Sequence, residues 1–171
     1  DAMDSTFNTM FRGLYSFATS NKERRSLLLG EREAKMKPSN RDESALAGHE
    51  QVVAKALRAE DLLLVVGPPG TGKTSFALKG MVEEFRKRGD TILLLSYTNR
   101  AVDEICRSIE KIDPELDYIR VGNEHSCDSS FKKNLLKNRL ASCTKRRDVV
   151  ERLCSTSIFV GTVASISGKP E

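Results

Sequence analysis

The strongest constraint on this chain is a short glycine-rich motif in its first half. The pattern G-x-x-x-x-G-K-[ST] is matched by Gly67-Pro68-Pro69-Gly70-Thr71-Gly72-Lys73-Thr74. An apolar run at 62–66 precedes the motif and a helical pattern follows it, which is the strand, turn and helix context that the motif requires. We therefore predict a phosphate-binding loop, called the P-loop below, between a buried strand and a helix.

The residue types of the P-loop suit the phosphates of a nucleotide. Glycine permits the positive φ angles and the close approach that let several backbone N–H groups converge on one anion. Pro68 and Pro69 have no N–H, so we expect the donors to come from residues 70–75, where the following helix adds its positive dipole end. Lys73 is expected to reach the β and γ phosphates, and the Thr74 hydroxyl to bind Mg²⁺. The predicted nucleotide-binding residues are Gly67, Pro68, Pro69, Gly70, Thr71, Gly72, Lys73, Thr74 and Ser75, with Lys73 and Thr74 in the catalytic role.

The composition is typical of a soluble globular protein. Hydrophobic residues make up 39% of the 171 residues and charged residues 30%, a length that fits one domain or part of a larger protein. Lys and Arg outnumber Asp and Glu by 28 to 24, an excess too small to indicate nucleic acid by itself. No apolar run approaches the length of a membrane span and the N-terminus has no signal-peptide pattern, so we expect a cytoplasmic protein.

The four cysteines are expected to be reduced thiols, because they form no C-x-x-C pair and a cytosolic protein keeps its thiols reduced. They are Cys106, Cys127, Cys143 and Cys154. A zinc site that combines His125 with three of them is disfavoured, since zinc sites usually take their ligands in close pairs.

Strand and helix patterns alternate along the chain and predict an α/β fold with a parallel sheet flanked by helices. The run at 91–96 is uninterrupted and apolar, which indicates a strand covered on both faces of the sheet. We predict an N-terminal helical segment and linker at 1–44 and a nucleotide-binding domain at 45–171. The predicted elements are an amphipathic helix from Met3 with Phe7, Met10, Phe11, Leu14 and Phe17 on its apolar face, a short element at 27–30, a linker at 37–44, a helix from near Ser44, a P-loop helix ending by Gly89, a helix at 101–109, and strands at 62–66, 91–96, 118–122 and 157–161.

The segment 123–156 differs from the rest in its charge. It carries eight basic side chains, and its two predicted helices contain only Asp148 and Glu151 as acidic residues. Such a surface could follow a phosphate backbone, or it could be an ordinary solvated helical face, and the sequence favours neither. The basic residues are Lys132, Lys133, Lys137, Arg139, Lys145, Arg146, Arg147 and Arg152.

A P-loop ATPase needs a second acidic site, usually an Asp-Glu pair at the end of a buried strand. The acidic doublets at 42–43, 60–61, 83–84 and 103–104 lie in a linker, before a strand or within helices, so none meets this requirement. We therefore expect the chain to be an N-terminal part of a larger NTPase, truncated before the Walker B motif.

Several motifs together resemble superfamily 1 helicases, most closely the 1B group that contains the nonsense-mediated-decay helicase and the Dna2-type nuclease-helicases. The resemblance covers roughly residues 45 to 168 and implies a RecA-like P-loop domain. The run from Thr98 to Asp103, one predicted strand after the P-loop, narrows the resemblance from NTPases in general to helicases. The matching motifs, in order, are Gln51, the P-loop, 96–103, 120–122 and 161–165.

The resemblance also implies roles for single residues. Gln51 matches the Q motif, whose amide reads the adenine edge of ATP. Thr98, Asn99 and Arg100 match a motif that contacts the backbone of a single strand, although Asn99 could equally well begin a capped helix. Thr162, with Ser165 nearby, matches a second strand-contacting motif at the end of a strand, where ligands gather in open α/β sheets.

The sequence thus predicts the first RecA-like domain of a superfamily 1 helicase or nucleic-acid-dependent ATPase. Its expected ligands are ATP, Mg²⁺ and single-stranded DNA or RNA, and its expected partners are the remaining helicase domains of the same chain. By itself the 171-residue chain is expected to bind nucleotide weakly and to hydrolyse it poorly. Three alternatives stay open: a nucleotide-gated scaffold without strand-stimulated turnover, another P-loop enzyme such as a small kinase or motor, and a glycine-rich turn without a ligand.

Overall fold

The structure is a computed structural model that describes residues 2–39, 45–68 and 70–167. One π-helical turn at Lys73–Leu78 runs directly into α4, and we call residues 73–87 the P-loop helix. The helices are α1 (Ala2–Thr19), α2 (Lys22–Leu28), α3 (Gly48–Arg58), α4 (Lys79–Lys87), α5 (Asn99–Glu110), α6 (Leu136–Arg139), α7 (Arg146–Ser155) and α8 (Val163–Ser167), and the strands are β1 (Ile92–Ser96), β2 (Ile119–Val121) and β3 (Ile158–Thr162). From β1 onward the strands are separated by helices, with α5 between β1 and β2 and both α6 and α7 between β2 and β3.

The three strands form one parallel sheet in the order β1-β3-β2. The register pairs Ile92 with Ile158 and Ser96 with Thr162, while Val121 pairs with Gly161. All three strands therefore end at the same edge of the sheet. The predicted α/β class and three of the four predicted strands are confirmed.

The hydrophobic core lies between the sheet and α5. Val102, Cys106 and Ile109 of α5 are buried against Ile158 and Val160 of the central strand. Their spacing along α5 puts them on one helix face, which is the pattern that packs an amphipathic helix on a sheet. The Thr98 hydroxyl fixes the start of this helix, because it accepts a hydrogen bond from the Ala101 N–H at 3.2 Å.

The predicted strand at 62–66 was wrong for this structure. These residues belong to no helix or strand, and Leu64 and Val66 are 77% and 96% exposed. A segment becomes a strand only when a neighbour accepts and donates its backbone hydrogen bonds, and no described residue pairs with this one. The prediction that the 91–96 strand is covered on both faces was also wrong, since Leu93 and Leu95 are 52% and 42% exposed while Ile92 and Leu94 pack on the core.

The N-terminal region agrees with the prediction in its helical content. The element at 27–30 is the end of α2 followed by Gly30, and the helix expected from near Ser44 begins at Gly48. Residues 40–44 of the predicted linker lie outside the described residues. The apolar face of α1 is exposed at Phe7, Met10, Phe11 and Leu14, so these side chains do not pack on the P-loop domain.

The cysteines differ in burial, and this difference gives a testable prediction. Burial raises the pKa of Cys106 to about 12 and also raises the pKa of Cys127, whereas Cys154 is exposed. Because the thiolate is the reactive form, iodoacetamide at about pH 8 should alkylate the native protein at Cys154 first and at Cys106 slower by roughly an order of magnitude or more. Peptide mass spectrometry measures the order. Equal labelling of native and urea-unfolded protein at Cys106 would contradict the buried position.

Candidate functional site

The P-loop turns through two glycines in the left-handed region. Gly70 and Gly72 both have φ angles of 81°, a conformation in which a residue with a Cβ is strained. Gly72 also begins the P-loop helix, since its carbonyl accepts a hydrogen bond from the Phe76 N–H at 2.8 Å. The backbone N–H groups at the start of this helix have no intrahelical partner and so can bind an anion. Pro69 lies outside the described residues.

Lys73 and the hydroxyl residues of the P-loop lie at the surface around this helix start. The Lys73 ammonium donates to the Gly67 carbonyl and, at 2.6 Å, to the Pro68 carbonyl. Thr71 donates its hydroxyl to the same Pro68 carbonyl at 2.8 Å, while Thr74 and Ser75 are exposed. A cation, two free hydroxyls and an N-terminal helix turn are the donor set that a magnesium-bound polyphosphate needs, so the residues present fit this ligand.

Gln51 lies in the first half of α3 and is half-buried. Its amide nitrogen donates to the Leu46 carbonyl at 3.0 Å, and this bond holds the side chain against the start of its own helix. The assignment of Gln51 to an adenine edge stays a prediction.

The predicted strand-contacting residues are gathered at the edge where the strands end. Thr98 and Asn99 follow β1 and begin α5, and Arg100 extends from the first turn of that helix with 92% of its side chain exposed. Thr162 ends β3 directly opposite Ser96 in the register. Thr162 is 6% exposed and its hydroxyl lies 2.7 Å from the Ser165 hydroxyl, so the two side chains are hydrogen-bonded to each other at this edge.

A cavity of about 520 Å³ opens at the same edge, next to Ser165. The loop after β2 lines it with Asn123, Glu124 and His125, and Lys137 of α6 also lines it. The Lys137 ammonium lies 3.8 Å from the Glu124 carboxylate, so the two charges form an ion pair in the cavity. The hydroxyl, amide and imidazole groups of this edge are suited to the sugar and phosphates of a nucleic-acid strand.

The basic segment is partly an internal ion-pair network, which the sequence could not show. Arg139 and Arg152 both bind Asp117, and Arg152 does so with two hydrogen bonds of 2.9 and 3.0 Å. Lys132 and Lys137 lie 3.9 and 3.8 Å from the same carboxylate, that of Glu124. Lys133 lies 3.9 Å from Glu110.

Three basic residues at the start of α7 are exposed and have no ion pair among the described residues; they are Lys145, Arg146 and Arg147. Five basic side chains of the segment therefore lie within ion-pair distance of a carboxylate, and three form a solvated cationic surface. Contact of this surface with a phosphate backbone stays a prediction. The described residues include His125 and all four cysteines. Among them there is no group of three or more His, Cys, Asp or Glu residues that could hold a metal ion.

A buried ion pair joins α5 to β2, and sequence reasoning missed it. The Arg120 side chain is 1% exposed, and its Nη1 lies 2.9 Å from Oδ1 of Asp103 on α5, within ion-pair distance but without hydrogen-bond geometry. Arg120 Nη2 also donates to the Ser126 carbonyl at 3.5 Å. A charged residue inside an otherwise apolar strand is the signal that could have predicted a buried partner.

Comparison with known proteins shows the family to which the chain belongs. The sequence profile of the AAA domain family matches residues 46–160, which is more than half of the chain. The chain is 29% identical over 153 residues to the DNA replication ATP-dependent helicase/nuclease DNA2 of Saccharomyces cerevisiae, covering 84% of this chain and 10% of that protein. It is 30% identical over 144 residues to the uncharacterized ATP-dependent helicase MJ0104 of Methanocaldococcus jannaschii, covering 80% of this chain and 21% of the relative. A third relative, the DNA replication ATP-dependent helicase/nuclease JHS1 of Arabidopsis thaliana, is 29% identical over 117 residues, covering 68% of this chain and 8% of the relative.

The chain spans a small share of each of these relatives, between 8% and 21% of their length. Among the described residues, no helix has the length and hydropathy needed to cross a membrane.

Proposed function

Since the chain belongs to the AAA domain family, we propose that it is the ATP-binding part of a superfamily 1 helicase or nucleic-acid-dependent ATPase. The observation that carries the proposal is the P-loop, followed one strand later by Thr98, Asn99 and Arg100 at the carboxyl end of β1. The first element suits a nucleotide and the second suits a nucleic-acid backbone. The P-loop helix packs on α5, the helix that begins at Asn99, so the two predicted sites belong to one packed unit.

In this proposal the P-loop holds the phosphates of ATP. The N–H groups at the start of the P-loop helix bind the phosphate oxygens, and Lys73 leaves the carbonyls of Gly67 and Pro68 to reach the β and γ phosphates. Thr74 would hold Mg²⁺, which neutralises the charge that develops on the phosphates. Gln51 would read the adenine edge once its amide exchanges the Leu46 carbonyl for the base.

The strand would cross the edge where β1, β2 and β3 end. Arg100 supplies an exposed guanidinium for a phosphate, and Thr98, Asn99, Thr162 and Ser165 supply hydroxyl and amide groups. The cationic surface at 145–147 extends this electrostatic attraction. Hydrolysis would open and close a cleft against a second RecA-like half, which moves the protein along the strand. A cytoplasmic location is part of the same proposal.

Two binding measurements with matched variants test the proposal. Lys73→Ala should weaken binding of magnesium-ATP, measured by calorimetry, at least about tenfold while leaving binding of a fluorescent single-stranded oligonucleotide intact. Arg100→Ala should instead weaken binding of the oligonucleotide and leave binding of magnesium-ATP intact. It should also reduce the salt dependence of oligonucleotide binding, since one phosphate contact is lost.

Loss of both ligands in both variants would indicate unfolding, which circular dichroism checks independently. ATP binding that is unaffected by Lys73→Ala would contradict the nucleotide site. If Arg100→Ala leaves binding of the oligonucleotide unchanged while ATP still binds, a nucleotide-gated scaffold is favoured instead.

A further inference from the structure

Two buried polar contacts fasten α5 to the β2 segment, one in the first half of the helix and one at its last residue. In the first, Arg120 Nη1 lies 2.9 Å from Oδ1 of Asp103. In the second, the Tyr118 hydroxyl donates to Oε1 of Glu110 at 3.0 Å. Asp103 and Glu110 are seven residues apart, so they share one face of α5. The helix is therefore held at two points about 10 Å apart along its axis.

The Arg120 contact is the one near the edge where the β-strands end. Asp103 lies one helical turn after Asn99, on the same face of α5. Arg120 is the middle residue of β2, and its Nη2 donates to the Ser126 carbonyl at 3.5 Å. The loop before that carbonyl, residues 122–125, lines the cavity of about 520 Å³ at this edge. One guanidinium therefore bridges the start of α5 and the loop that lines the cavity.

Stability alone does not explain a buried ion pair at this position. Arg120 is 1% exposed, and its neighbours in β2, Ile119 and Val121, are buried apolar residues. Taking a guanidinium and a carboxylate out of water costs free energy, and apolar side chains of similar volume often stabilise a fold as well as the ion pair does. A charge pair and a hydrogen bond add direction, because they fix where two segments lie relative to each other.

We propose that Arg120 is a positioning residue for nucleic-acid binding, which holds the start of α5 and the loop at 122–126 in the relative position that one nucleic-acid strand contacts. The proposal rests on the proposed function, since it concerns the same edge. Arg120 is buried and does not itself contact the nucleic acid. It acts through Asp103 on the first turn of α5, where Arg100 is exposed, and through the Ser126 carbonyl on the loop. Binding groups need such supporting contacts, since they must be held within roughly 0.5 Å of their working position.

Binding of an oligonucleotide and of magnesium-ATP by the full-length protein separates positioning from stability. The double variant Asp103→Leu with Arg120→Met removes both charges and keeps apolar volume, so it should stay folded. It should bind a fluorescent single-stranded oligonucleotide about tenfold more weakly, because the misplaced α5 loses a charged contact with a phosphate. Its affinity for magnesium-ATP should change less than about twofold. Tyr118→Phe removes the other contact on α5 and should change neither affinity.

A double-mutant cycle with Arg100→Ala shows whether Arg120 acts through α5. In the otherwise wild-type protein, Arg100→Ala should weaken oligonucleotide binding about tenfold. In the double variant Arg100 has already lost its phosphate contact, so Arg100→Ala should weaken binding less than about twofold further. Additive losses would mean that the ion pair and Arg100 act independently, which would overturn the positioning role.

Arg120→Lys gives a second measurement that does not depend on removing the buried charges. Lysine keeps the positive charge beside Asp103, but its single ammonium lacks the branch that reaches the Ser126 carbonyl, so oligonucleotide binding should weaken at least about threefold. Circular dichroism checks that each variant is folded. Wild-type oligonucleotide affinity in either folded variant, or an equal loss in Tyr118→Phe, would overturn the positioning role and leave the proposed function intact. A wild-type protein that binds no oligonucleotide would contradict the proposed function and this proposal together.

Discussion

Replacing Arg120 with alanine should lower the free energy of unfolding by about 3–5 kcal/mol, because the substitution leaves Asp103 without its counter-charge in a buried position. The Arg120 side chain is 1% exposed and that of Asp103 15%, so the ion pair is largely screened from water. The loss is comparable with the whole stability of a marginal domain, which is typically about 5–15 kcal/mol. Urea unfolding followed by circular dichroism measures it.

A matched control separates this buried pair from surface charge. Arg100 and Glu104 lie 4.0 Å apart on the same helix as Asp103, with 92% and 57% of their side chains exposed. Arg100→Ala should therefore change stability by less than about 1 kcal/mol. The double variant Asp103→Leu with Arg120→Met should regain much of the stability that Arg120→Ala loses, since it removes both charges and keeps apolar volume. A loss below about 1 kcal/mol for Arg120→Ala would contradict the buried ion pair.

Removing the P-loop lysine should strongly lower the rate of ATP hydrolysis. In the full-length protein, Lys73→Ala should reduce strand-stimulated ATP hydrolysis about a hundredfold or more, because the ammonium would stabilise charge that develops on the transferred phosphoryl group. The loss should exceed the loss of ATP affinity, since charge stabilisation acts mainly in the transition state. Steady-state kinetics over a range of ATP concentrations separate kcat from KM.

Lys87→Ala is the control for this substitution. Lys87 lies at the end of the same helix, exposed and paired with Glu84 at 2.6 Å, far along the helix from the P-loop. Its removal should leave kcat and KM unchanged. Equal losses of kcat in Lys73→Ala and Lys87→Ala would mean that removing any positive charge from this helix, and not removing the P-loop lysine in particular, lowers the rate.

The features that local sequence determines could be predicted well. Gly70 and Gly72 adopt the positive φ angles for which only glycine is suited, and Thr98 caps α5 where the sequence places a helix start. Apolar runs at 91–96 and 157–161 correspond to β1 and β3. These signals lie within a few residues of one another and need no tertiary information. The domain boundaries and the roles of the site residues stay predictions.

Features that depend on distant partners could not be predicted in the same way. The run at 62–66 has the composition of a buried strand, but pairing depends on a neighbour that the described residues do not provide. The basic segment looked uniformly cationic because the carboxylate that binds Arg139 and Arg152 belongs to Asp117, which precedes β2. The position of Phe76 beside His49 likewise requires α3 to pack on the P-loop helix.

We propose that the P-loop and the edge where the β-strands end act together, so that nucleic acid bound at the edge changes ATP hydrolysis at the P-loop. ATP hydrolysis by the full-length protein, with and without single-stranded DNA or RNA and beside Lys73→Ala, tests this coupling. One type of nucleic-acid strand should stimulate turnover, and Lys73→Ala should abolish the stimulation. Turnover that no strand changes, with ATP still bound, would contradict it.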